Sequence, residues 1–267
     1  MNHVAKRTIT ALATASLVVA GLVYLPFEAV KPAMILLVAL VHLEFSQMVS
    51  KRYDIMTKIG VASGLAWMVT LLYDQPAVRT SAAVAALAFG VVGMWAVCLF
   101  GRTRNPIAAV GTTLLGLFYI PFMLSWLIMI PKMYGMTMLL YTVAVIKISD
   151  MGGFAFGMAF GRHKMCPSIS PGKSWEGLAG SVFASVVVSC AFMTLTRFSW
   201  CVSAGLGAIA ALVGTFGDLV ESRFKRECEV KDSATFMPAG LGGFLDMFDS
   251  LVFAPVIFYV IFGFISK

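Results

Sequence analysis

At 267 residues, 60% of them hydrophobic and 12% charged, with a mean hydropathy of +0.90, the chain has more apolar surface than a soluble domain of this length can bury. Its net charge of +7 is spread over short stretches between apolar runs, which excludes nucleic acid and points to anionic lipid headgroups. The five cysteines, Cys98, Cys166, Cys190, Cys201 and Cys228, have no CxxC spacing and read as packing residues, not as a disulfide framework or zinc site.

A window of about 20 residues, the length that crosses the hydrocarbon layer, predicts spans at 8–27, 31–48, 58–73, 80–100, 106–130, 133–149, 177–196, 200–217 and 247–265. The fold class is therefore all-α, a polytopic integral membrane protein of about nine transmembrane helices. The first run follows Lys6 and Arg7 as a signal peptide would, but no small-residue cleavage site comes after it and more spans do. In the second, His42 and Glu44 of "VHLEFSQM" read as interfacial anchors. Fourteen Lys and Arg fall in alternate loops on one side and five on the other, with Lys147 inside a span. Because basic loops stay in the cytoplasm, the N-terminus is expected there and the C-terminus outside.

Residues 1–132 read as a transmembrane scaffold of about five helices, and 133–267 as a catalytic transmembrane region with cytoplasmic motif loops at 147–177 and 216–250. In the first loop, Asp150 stands beside Gly152 and Gly153 at the end of a span. Further on, "SPGKSWEG" sets Lys173 and Ser174 next to Pro171 and Gly172, a loop able to grip phosphate. It lacks the full GxxxxGK[ST] of a Walker loop.

The second loop holds seven of the thirteen acidic residues. If the preceding span continues as a helix, Asp218, Ser222 and Lys225 or Arg226 recur at three- and four-residue steps on one face. Glu221 and Lys225 alone read as an i,i+4 surface pair. Lys231 and Asp232 follow, the chain breaks at Pro238 and three glycines, and Asp246 and Asp249 open the last span at i and i+3. Capping accounts for one of those carboxylates and not both. Asp218, Asp246 and Asp249 together suit a hard divalent cation such as Mg2+, with the nearby Lys and Arg serving phosphate.

These residues resemble the phosphatidate cytidylyltransferases, whose signature has the form S-x-x-K-R-x4-K-D-x-[GSA], a Pro-Gly turn and D-x-x-D. Ser222, Lys225, Arg226, Lys231, Asp232 and Ala234 fall in register with it, and Asp246 and Asp249 close it. The upstream "SDMGGFAFGMAFGRHKMCPSISPGKSWEG" is similar to the family's D-x-G-x-x-x-x-G stretch and S-P-x-K-[ST]-x-E-G loop. The chain departs at Leu241, where the family turn carries His, and at Met247, where D-R-x-D carries Arg. Roles that rest on those two side chains do not carry over.

The resemblance implies an enzyme of a bacterial cytoplasmic membrane, with its site facing the cytoplasm, that joins CTP to phosphatidic acid. One or two Mg2+ ions would be held by Asp218, Asp246 and Asp249, with room for a monovalent cation. Lys225 and Arg226 would act on the phosphates, and Lys173, Ser174, Ser222, Lys231, Asp232 and Asp150 would bind substrate. A homodimer is left open. Two other readings share these parts: a CTP-dependent lipid-alcohol kinase, which releases CDP, and a cation-coupled transporter, which would place acids at mid-span in several helices.

Overall fold

The protein is described by a computed structural model covering residues 21, 24–101, 103, 105–230, 233 and 243–265. It is a helical membrane protein. Two compact units form: Met1–Ile128 with Val230–Met247, and Met129–Glu229 with Phe248–Lys267. The sequence suggests one division, at 132–133; the compact units divide nearby, at 128–129, and again on either side of 230–247.

Among its described residues the first unit contains α1 (Phe27–Val49), α2 (Thr57–Thr70) and α3 (Pro76–Phe100). Next come α4 (Pro106–Leu117), a π-helical turn (Phe118–Phe122) and the start of α5 (Trp126–Tyr134). Pro76 and Pro106 stand at the first helical positions, where a missing N–H costs nothing, and the Asn105 side chain caps α4 by accepting from Ala108 N. Pro121 lacks the donor for a regular i to i−4 bond, and the helix widens to the π form around it. Val41, Phe45, Met94, Ile120 and Leu124 are fully buried in this unit's core.

Gly135, at φ 89°, ends α5 in a conformation that L side chains avoid, and α6 (Met136–Phe160) begins directly after it. The second unit continues through β1 (Lys164–Cys166), β2 (Ser170–Ser174), α7 (Trp175–Ala191), α8 (Met193–Thr196) and α9 (Trp200–Glu227). After α10 (Phe244–Phe248) come a 3-10 turn (Asp249–Leu251) and α11 (Ala254–Ile265). Tyr141, Phe192, Phe198, Phe258 and Phe262 form its aromatic core, with the Tyr141 hydroxyl 2.7 Å from Ser189 Oγ.

Among the described residues six helical runs are long and apolar enough to cross a membrane: Phe27–Val49, Pro76–Phe100, Pro106–Tyr134, Met136–Phe160, Trp200–Glu227 and Phe244–Ile265. The run expected at 8–27 lies mostly outside the described residues. Those expected at 58–73 and 177–196 are helices of 14 and 17 residues. At 1.5 Å per residue they reach about 21 and 26 Å, short of a hydrocarbon layer of about 30 Å.

Two expectations about the first motif segment change. The span predicted to stop at 149 continues to Phe160, so Asp150 lies inside a helix and not at its end. Gly152 and Gly153 do not break it, because they face Gly180, Ser181 and Ala184 of α7 at a close helix crossing. The stretch predicted as a loop also contains an antiparallel hairpin, pairing Lys164 with Ser174 and Cys166 with Ser170.

Candidate active site

In the second unit α9 does continue as a helix past Gly217, to Glu227. Asp218, Glu221, Ser222, Lys225 and Arg226 therefore lie along one stripe. Gly217 permits the 3-10 turn to approach, since a Cβ there would clash with the Asp249 carbonyl oxygen. The approach brings Asp249 to α9. Asp218, Glu221 and Asp249 each offer an oxygen within 4.8 Å of the others.

Glu221 is not the surface residue that its spacing suggested. Its side chain is 0% exposed and lies 2.6 Å from Lys225 Nζ, whose own side chain is only 14% exposed. A fully buried carboxylate is costly unless a cation compensates it, and here the i,i+4 partner does so inside the site. The signal was present in the sequence: Glu221 follows Asp218 by three residues, one helical step along the same face.

A second group fastens the 3-10 turn to α6. Ser250 Oγ donates to Asp150 Oδ2 at 2.7 Å and accepts from Lys147 Nζ at 3.0 Å, and the ammonium is 3.4 Å from Asp150 Oδ2. The Ser250 N–H donates to Asp249 Oδ1 at 2.6 Å, which fixes that carboxylate's rotamer. Lys147 and Ser250 were not singled out from the sequence. Lys147 stands three residues before Asp150, the ordinary spacing of a helical pair.

The hairpin supplies one more cation and docks another on α9. Lys173 Nζ lies 2.6 Å from Asp218 Oδ2 and donates to the Thr215 carbonyl at 3.1 Å, while Arg226 Nε donates to the Ile169 carbonyl at 3.2 Å. Ser174, predicted to bind phosphate, is buried and caps α7 by accepting from Gly177 N at 3.1 Å. At the hairpin's base Glu176 meets His163 Nδ1 at 2.6 Å and accepts the N–H groups of Arg162 and His163. The His163 ring beside it, aided by these N–H donors, holds the Glu176 carboxyl down at about 2.

Asp246 is placed in the first unit. Its carboxylate accepts from Ser233 Oγ at 3.0 Å and Gly243 N at 2.7 Å, reaching back over the first turn of α10 as the acid of a capping box does. The adjacent Leu245 N–H donates to Glu44 Oε2 at 3.0 Å. Glu44 and His42 are thus not interfacial anchors: they are 0% and 1% exposed, inside the first unit. His42 lies beside Gly60 and Gly64 of α2 and Gly116 of α4.

Of the predicted site residues, the second unit brings together Asp150, Lys173, Asp218, Lys225 and Asp249. Ser222 is half-buried on the same stripe and Arg226 is exposed near its end. Lys231, Asp232, Leu241 and the glycines of the turn before Gly243 lie outside the described residues. The three converging carboxylates offer oxygen only, the donor set of a hard cation, with ammonium groups close by.

A family model described as the cytidylyltransferase family matches residues 5–265. The phosphatidate cytidylyltransferase of Staphylococcus aureus (strain COL) is 42% identical over 122 residues, 45% of this chain and 46% of that protein. That of Haemophilus influenzae is 36% identical over 138 residues, 49% and 48% of the two chains. The protein of the same name from Mycobacterium bovis is 39% identical over 122 residues, 45% of this chain and 39% of that one. In these matches the chain spans about half the length of the curated relatives, or less. Because the family model runs over nearly all of it, the chain belongs to the cytidylyltransferase family.

Proposed function

We propose that the protein transfers the cytidylyl group of CTP to phosphatidic acid at the cytoplasmic face of a bacterial cytoplasmic membrane. The observation that carries this reading is the convergence of Asp218, Glu221 and Asp249 beside Lys173 and Lys225, in a family whose similar members are named phosphatidate cytidylyltransferases. The bias of basic loops supports the cytoplasmic orientation, with the N-terminus on the same side.

A phosphate oxygen of phosphatidic acid attacks the α-phosphorus of CTP, and the bond from that phosphorus to the bridging oxygen breaks. The products are CDP-diacylglycerol and pyrophosphate. Asp218, Glu221 and Asp249 are the residues that would hold Mg2+; the family signature also includes Asp246. When bound, the ion supplies charge neutralisation at the phosphate oxygens. Lys173 and Lys225 neutralise the triphosphate, Arg226 offers it a planar fork, and Ser222 a hydroxyl. Ser250 holds Asp249 in its rotamer through the 2.6 Å bond from its N–H. Attacking phosphate is already anionic at neutral pH, so positioning and electrostatics carry the rate.

The test is purified protein in lipid with phosphatidic acid, Mg2+ and CTP labelled in the nucleoside. Labelled CDP-diacylglycerol with equimolar pyrophosphate is expected. Release of CDP with a phosphorylated lipid alcohol would make the protein a kinase instead.

A further inference from the structure

The 3-10 turn that carries Asp249 is three residues long, and the bond spanning it, from Val252 N to the Asp249 carbonyl, is 3.4 Å, long for such a pair. Its own backbone therefore holds it poorly. What seats it is Ser250, which is 0% exposed. The hydroxyl donates to Asp150 Oδ2 at 2.7 Å and accepts from Lys147 Nζ at 3.0 Å, and both partners come from α6. On its other side the turn rests on α9, where a Cβ at Gly214 would touch Ser250 Cβ at 3.7 Å and Asp150 Oδ1 at 3.8 Å. The N–H of the same serine donates to Asp249 Oδ1 at 2.6 Å. One residue thus links a carboxylate of α6 to a carboxylate of the oxygen cluster.

The sequence suggested that Asp150 binds substrate. Its Oδ2 is turned instead to Ser250 and Lys147, and the three carboxylates that offer oxygens to a common cation are Asp218, Glu221 and Asp249. From this we infer that Asp150 and Ser250 are positioning residues: Asp150 acts on the cation through Ser250 Oγ, which holds the turn so that Asp249 meets Asp218 and Glu221. The inference rests on the metal reading of that cluster. A hydrogen bond to an ionised acceptor is about twice as strong as a neutral one, which is a reason to keep a carboxylate within a membrane-spanning helix, where an acid is expensive. Lys147, 3.4 Å from Asp150 Oδ2, offsets part of that cost. Without the bond from Ser250 Oγ the cation has to order the turn as it binds, and its affinity falls by the cost of that ordering.

A double-mutant cycle tests this, with Mn2+ alone as the probe and its electron paramagnetic resonance signal as the readout. Ser250→Ala removes one oxygen and is expected to weaken Mn2+ about tenfold, in the range of a hydrogen bond to a charged group. Asp150→Asn keeps an acceptor and removes its charge. Its effect on Mn2+ should be about fivefold larger when Ser250 is present than in the Ser250→Ala background. Losses that simply multiply would mean that Asp150 acts on the cation directly, and they overturn the inference. So does a Ser250→Ala protein with the Mn2+ affinity of the wild type, whatever its thermal midpoint, since that is the pattern of a merely structural hydroxyl. Should Asp150→Asn fail to fold, Ser250→Ala decides by that comparison alone. Asp249→Asn is the reference: if it binds Mn2+ as the wild type does, the metal reading of the cluster fails, separately from the roles of Asp150 and Ser250.

Discussion

At the scale of single residues the site depends on carboxylates whose neighbours differ. Asp249 accepts one backbone N–H and lies in the oxygen cluster, so Asp249→Asn keeps the shape and removes the charge. We expect cytidylyl transfer to fall by at least about 100-fold, in the range of losing a group that stabilises developing charge, with the thermal midpoint in detergent unchanged. Glu221 gives a sharper discrimination. A surface pair with Lys225 would be worth roughly 0.5 kcal/mol or less and Glu221→Gln would be silent in an activity assay. Buried within the cluster, the same substitution should cost at least about tenfold in kcat, a loss of transition-state stabilisation of some 1.4 kcal/mol.

At the scale of elements the site needs α9, the 3-10 turn and the hairpin to meet. Gly217 is where the first two touch, and Gly217→Ala puts a methyl group against the Asp249 carbonyl. Overpacking of that kind costs about 1 to 3 kcal/mol, so a lower thermal midpoint is expected together with reduced transfer. The base of the hairpin is held by Glu176. Its carboxyl, depressed from 4.5 to about 2 by His163 and the N–H groups, favours the folded hairpin only while ionised. That contribution is fully present above pH 4.5 and is lost as the pH falls towards 2. Hydrogen exchange should therefore show the Arg162 and His163 amides protected at pH 5 and released near pH 2, and Glu176→Gln should release them at both.

At the scale of the whole molecule, orientation decides which side of the membrane the carboxylate cluster faces. Cys166 ends strand β1, on the hairpin that carries Lys173. In a variant with the other four cysteines replaced by serine, an impermeant maleimide should label Cys166 in inverted vesicles and leave right-side-out vesicles unlabelled. The opposite pattern would reverse the orientation read from the basic loops.

Much of this was legible because it is written in local order. Apolar runs locate helices, and three- and four-residue steps along α9 align Asp218, Ser222 and Arg226 or Lys225 whatever surrounds them. The family resemblance rested on two ordered motifs, and the family model covers both. What periodicity does not contain is which groups from distant segments share a space. Glu221 looked like a surface residue until the 3-10 turn came against α9, and Ser250 and Asp150, one hundred residues apart in sequence, were joined only by folding. Glu44 found the Leu245 N–H across 201 residues in the same way. The sequence by itself determined the all-α, multi-pass membrane class and the acids and bases available to the site. The tertiary structure decided which acid meets which base, because the cost of a buried charge depends on the partner brought to it and not on its place in the chain.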